Sequence, residues 1–141
     1  MTPTLTLAWT AEVRIGEKQD LGEGPLGRRF LVPILGGTVE GPSLRGIVLA
    51  GGADRQWVRP DGLREFDAQY EMQEHDGTVI SVRNRVLVDG DDPDTRYARS
   101  VVRTRTAAGA HVWVMRRLLV GTLESLRPVR AAVRVTVYVV D

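Results

Sequence analysis

The sequence predicts an all-β fold, a single antiparallel β-barrel of about eight to ten strands with little helix. Three observations predict it. Segment after segment alternates apolar and polar residues with a period of two. Turn signals such as Pro60-Asp61-Gly62 and Asp76-Gly77 separate the segments. No long stretch carries the 3.6-residue period of an amphipathic helix bounded by caps. Short strands at this spacing build a sandwich or a closed barrel, and closure removes exposed strand edges. One domain spanning residues 1–141 is expected, since this length supports one core and leaves little room for a second.

The elements follow in order. Thr4–Val13 sets Leu5, Leu7 and Trp9 against Thr4, Thr6 and Ala8, which reads as a half-buried strand. Glu17–Gly27 is polar and glycine-rich and reads as a loop. Arg28–Leu35 is a short apolar strand whose pairing is limited by Pro33. Gly36 to Pro42 contains Gly36-Gly37 and Gly41-Pro42, the mark of a bulge or bend followed by a turn. Leu44–Ala50 and Arg55–Arg59 are strands on either side of Gly51-Gly52. Leu63–Gln73 places Phe66, Ala68, Tyr70 and Met72 opposite Glu65, Asp67, Gln69 and Glu71. Asp76-Gly77 suits a type I′ hairpin turn, and Thr78–Val88 pairs back. Asp89–Thr95 is an acidic loop, and Arg96–Arg99 reads as one helical turn. Val101–Thr106, His111–Val120 and Ala131–Val140 complete the strands, joined by Ala107-Ala108-Gly109 and Glu124–Pro128.

Composition narrows the chemistry. Nineteen basic and eighteen acidic residues leave a net charge of +1, which argues against a protein built to hold nucleic acid. Arg116-Arg117 cannot form one patch on a strand, because successive side chains point to opposite faces. The chain has no cysteine, so thiolate catalysis, disulfides and cysteine-bound zinc are excluded. With only His75 and His111, no metal site is expected. No apolar run is long enough for a membrane helix, and no signal peptide is visible; a cytoplasmic protein without membrane partners is the expectation. Neither a Walker loop nor a dinucleotide fingerprint is present, and no cofactor is expected.

The block Gly36–Arg85 carries a family pattern: Gly36-Gly37, Gly41-Pro42, Arg45-Gly46, Gly51-Gly52-Ala53-Asp54, Pro60-Asp61-Gly62, Tyr70 and Asp76-Gly77. In this it resembles the DUF3237 (UPF0311) family of small β-barrel proteins. The likeness continues through Arg103-Thr104, Trp113, Val120-Gly121 and Val135–Val139. The resemblance implies a calycin-like antiparallel barrel and a homodimer. Three places depart from the pattern, one being the segment before His111, which is shorter than the family's. Arg55 stands where the family has an aromatic, with Trp57 two residues on, and Met115 stands where it has Asn.

A barrel lumen suggests a small apolar or polyketide-like guest. Asp54 ends the Gly-Gly-Ala-Asp run, where a carboxylate either acts as general base or caps a turn. Tyr70 lies on the apolar side of its strand, as a lumenal hydrogen-bond donor or a core tyrosine. Asn84 shares parity with Ile80, Val82 and Val86 and is expected to face inward. Trp57 and Trp113 are candidate aromatic walls, with Met115, Glu40 and Arg83 as further substrate contacts. His111 is expected at an exposed strand edge. By fold analogy the expected activity is a cofactor-independent cyclase, isomerase or related lyase of specialised metabolism. The alternatives are a carrier for a small apolar ligand and a structural dimer whose barrel is filled by its own side chains. Either guest reading expects a lumen of roughly a few hundred Å³.

Overall fold

The computed structural model describes residues 1–141. It is all-β: β1 (Leu5–Ile15), β2 (Gln19–Gly24), β3 (Gly27–Glu40), β4 (Arg45–Val48), β5 (Ala53–Val58), β6 (Arg64–Glu74), β7 (Val79–Asp89), β8 (Tyr97–Thr106), β9 (Leu118–Ser125) and β10 (Ala132–Val140). One short 3-10 helix, Val112–Met115, lies between β8 and β9. All pairings are antiparallel, and they run β1-β10-β9-β8-β7-β6, then through β4 and β5 to β3, which pairs back to β1. The sheet therefore closes into an eight-stave barrel, with β4 and β5 sharing one stave between β3 and β6.

Alternation held best where one face is buried and the other wet. Along β7, every second residue from Ile80 to Val88 is buried and each neighbour is exposed. Four other segments differ from the sequence reading. Residues 17–27 contain β2, which continues the line of β1 along β3. All six of its residues are exposed, so it leaves no burial periodicity to detect. The bulge or bend expected at Gly36-Gly37 is present, but the strand expected to stop at Leu35 runs on through it to Glu40. The glycine pair bends β3 where the register with β1 shifts, and a side chain at Gly37 would strike the Glu12 carbonyl. Arg96–Arg99 is not a helical turn, because β8 begins at Tyr97 and buries Ala98. His111–Val120 is not one strand. Its first half is the 3-10 helix, whose Val114 is buried and whose Val114 carbonyl accepts the Thr104 hydroxyl at 2.8 Å.

The two ends of the barrel are built differently. The 3-10 helix closes the end formed by the β3–β4, β6–β7 and β8–β9 connections. There Trp9, fully buried, meets Trp113 edge to face at 6.5 Å between centroids. The main core cluster, including Met72, Ile80, Val114 and Val137, fills this end. A smaller cluster of Phe66, Val86, Val88 and Ala98 lies toward the opposite end, whose rim is made by residues 16–18, 59–63, 90–96 and 126–131. No helix is long and apolar enough to cross a membrane.

Candidate functional site

Between the two core clusters lies an internal cavity of about 50 Å³. Its walls are mostly aliphatic, from Val13, Ile34, Val86, Leu123 and Val135, and it is polar at Asp54, Gln56, Tyr70 and Asn84. The volume is well below the few hundred Å³ expected for a fully enclosed guest. It has space for a few water-sized groups, so only a reactive head could enter without the wall moving.

Strand register explains the grouping. Val32, Asp54, Ala68, Asn84 and Val102 are consecutive cross-strand partners on β3, β5, β6, β7 and β8. Residues in one row share a face, so Asp54 and Asn84 point inward on either side of Ala68. The small Ala68 side chain leaves the gap between them open. Tyr70 follows two residues later on β6 and shares that face. The irregular Leu49–Gly52 segment joins β4 to β5 and sets this register. A Cβ on Gly52 would lie 2.5 Å from the Gln69 carbonyl oxygen and 2.6 Å from Tyr70 Cβ. Glycine is therefore required for the chain carrying Asp54 to press against the Tyr70 strand.

Three polar atoms of this cavity lack protein partners. Asp54 Oδ1, the Tyr70 hydroxyl and Asn84 Oδ1 are all shielded from solvent and accept or donate no hydrogen bond. Asp54 Oδ2 accepts one from Gln56 Nε2 at 2.9 Å. Burial pushes the Asp54 carboxyl up to about 6, reinforced by the Asp67 charge and opposed by the Gln56 hydrogen bond, the Lys18 charge and the Asp67 backbone N–H. Burial also pushes the Tyr70 phenol above its ordinary value, so it remains a neutral donor. Each unpartnered buried polar group costs about 1–3 kcal/mol of stability. Three on one small cavity form an arrangement that a hydrogen-bonding guest would relieve.

Other sequence candidates lie apart. Trp57 faces outward, donates its indole N–H to the Leu26 carbonyl at 2.5 Å, and lines an open outer groove of about 530 Å³ with Arg29, Arg55 and Arg85. This groove is larger than the lumen, but it is open to solvent and holds no comparable set of orphaned groups. Trp113 belongs to the plugged end. Met115 is exposed, with its sulfur accepting the Thr106 N–H at 3.4 Å. Glu40, exposed at the end of β3, lies 3.5 Å from Arg45. Arg83 faces outward and makes a two-pronged contact to Asp67 at 3.0 and 2.8 Å. His111 is buried rather than exposed: its Nε2 meets Asp76 at 2.8 Å and Glu74 at 3.4 Å, tying the 3-10 helix to the β6–β7 turn. These three side chains converge closely enough to suit a metal ion, and the hydrogen bond accounts for their arrangement without one.

Gln56 was not among the sequence candidates. Its signal was available, since it lies two residues from Asp54 on the same strand and must share its face.

A family model described as "Protein of unknown function (DUF3237)" matches residues 3–140. The UPF0311 protein RPA1785 of Rhodopseudomonas palustris is 38% identical over 137 residues, covering 86% of this chain and 90% of that protein. A β-barrel-like protein of Acinetobacter baumannii superposes with a TM-score of 0.89 at 26% identity, over 100% of this chain and 98% of the other. The structure of an enzyme from Penicillium herquei shares the fold, with a TM-score of 0.80 at 21% identity over 100% and 96% of the two chains.

Proposed function

The chain belongs to the DUF3237 family, and we propose that it is a small-molecule isomerase or cyclase whose chemistry is proton transfer beside a carbonyl, carried by Asp54 and Tyr70. One observation carries this reading: Asp54 Oδ1, the Tyr70 hydroxyl and Asn84 Oδ1 are orphaned on a single apolar-walled cavity. A carboxyl tuned to about 6 exists largely as carboxylate at neutral pH and can release a proton again within the same turnover. An Asp base beside a tyrosine hydroxyl in an apolar site is an established way to make and protonate an enolate.

The step balances as follows. Asp54 takes a proton from the carbon next to the carbonyl; the C–H bond breaks and a carboxyl O–H bond forms. The electron pair moves into the carbon–carbon bond, and charge gathers on the carbonyl oxygen. The Tyr70 hydroxyl donates to that oxygen. Asp54 then returns the proton at a different carbon, which isomerises the guest. In a cyclisation, Asp54 instead takes the proton of a guest hydroxyl as its oxygen adds to a conjugated carbon, and returns it to the enolate. Asn84 orients the guest. A cavity of this size admits the reacting head, with the rest of the molecule lying in the mouth.

The description of the Penicillium herquei structure as an enzyme is compatible with catalysis on this fold. A carboxyl and a phenol facing the cavity, which a carrier of an apolar ligand does not need, favour the enzyme reading over the carrier. The test uses 3-cyclohexen-1-one, whose conversion to the conjugated 2-enone is followed by ultraviolet absorbance. The protein should accelerate conversion over buffer. Asp54→Asn should lower the rate roughly 10²–10⁴-fold, and Tyr70→Phe roughly 10²–10³-fold. Acceleration that survives both substitutions would refute the assignment.

A further inference from the structure

The end of the barrel that no helix covers, the open end, carries three cations outside any close ion pair. Lys18, the chain's single lysine, lies just beyond β1, with its ammonium 4.0 Å from the Phe30 ring centroid. Arg64 opens β6 with the inward parity of Phe66 and Ala68, and its Nη2 donates to the Gly90 carbonyl at 2.8 Å. Arg96 precedes β8 with the inward parity of Ala98. A Cβ placed on Gly90 would lie 3.3 Å from both Arg96 Cα and Arg96 Cβ, so Arg64 and Arg96 meet at that glycine.

None of the three makes an ion pair within 4.0 Å, although ten other such contacts exist in the chain. The nearby acids are otherwise arranged. Asp20 pairs with Arg28 and accepts the Gly22 N–H. In the acidic loop after β7, Asp92 accepts the Asp94 N–H. Arg96 Nε is shielded from solvent with no acceptor at all. Burial and the adjacent Arg64 charge hold both Lys18 and Arg96 below their ordinary values, opposed at Lys18 by the charges of Asp20 and Asp54 and at Arg96 by none.

None of the three lines the cavity, but Lys18 lies near enough to its Asp54 to feel that charge, and like charges gathered at one end of the barrel destabilise the free protein and favour a bound anion. We infer that Lys18, Arg64 and Arg96 form an anion-binding rim, and that the guest of the lumen is an organic carboxylate whose apolar, carbonyl-bearing part points toward Asp54 and Tyr70. This rests on the lumenal reading above and adds the charge of the substrate. The cations also keep a carboxylate guest compatible with the Asp54 charge further in.

The test compares benzoate with neutral benzamide by amide chemical-shift titration of the whole chain. Benzoate should bind about tenfold more tightly, the gap that one desolvated charge contact supplies, and the preference should shrink as salt rises. The double variant Lys18→Gln, Arg96→Gln should erase the preference and leave benzamide binding unchanged. Lys18→Arg should retain it. Arg64 is left intact because it holds the Gly90 carbonyl. Equal affinities, a preference that survives the double variant, or no benzoate binding would each overturn the rim. Benzamide shifting the Asp54, Tyr70 and Asn84 amides without any benzoate preference would overturn the rim while leaving the lumenal site in place.

Discussion

The two ends of this barrel use the same strands to opposite ends. At the plugged end, Trp9 packs edge to face on Trp113, and the 3-10 helix is fastened by His111 to Asp76 and Glu74. Orphaned atoms exist there, Trp9 Nε1 and His111 Nδ1, but they are scattered singly through a filled core. Toward the open end, three orphaned groups share one cavity. The plugged end is organised for stability. The open end gives up stability to keep polar groups free, which is the pattern of a site.

The ends also respond to pH with opposite sign. The Asp76 carboxyl is held down at about 2, first by hydrogen bonds from Thr78 and then by His111. Its contribution is complete above the ordinary carboxyl value and is lost as pH falls through about 2. Asp54 is raised to about 6, so its penalty is absent below the ordinary value of 3.8 and complete once pH rises past about 6. That interval corresponds to about 3 kcal/mol.

Four substitutions sharpen the contrast, in decreasing order of effect on stability. Trp9→Ala should remove about 3–5 kcal/mol in urea denaturation by emptying the plugged core. A loss below about 1 kcal/mol would mean that this end is not the stabilising one. Asp54→Asn should stabilise by up to about 3 kcal/mol at pH 8, with the gain fading to nothing near pH 3.5; a variant less stable at pH 8 would place the carboxylate in a structural role. Tyr70→Phe should stabilise by about 1 kcal/mol, since the deleted hydroxyl has no partner. A core tyrosine with a satisfied hydroxyl would lose about the same amount instead. Asp76→Asn should leave stability near neutral pH almost unchanged and speed amide exchange in residues 107–117, checked by mass spectrometry. Unchanged exchange there would show that the His111 tie does not hold the helix.

The barrel was legible in the sequence because burial on one face writes a period of two, as in β6 and β7. The same periodicity placed Tyr70 and Asn84 inside. Where that contrast is missing the reading lapsed. β2 is wet on both faces, and the 111–117 segment is apolar because it plugs an end, not because it is a strand. Trp57 is the largest side chain of its strand, yet Asp54 and Gln56 take the inner face and Trp57, of opposite parity, lines the outer groove. The cationic rim was illegible for a different reason. Lys18, Arg64 and Arg96 are far apart in sequence, and only closure of the barrel brings their strands to one opening.

The proposed site requires Asp54 to be a carboxyl withheld from water inside a mostly apolar hollow. Carbon-13 NMR of the Asp54 side chain, followed from pH 3 to pH 9 and assigned with Asp54→Asn, measures this directly. The structure predicts a midpoint near 6. A midpoint near the ordinary 3.8 would describe a hydrated surface acid and contradict the proposed site.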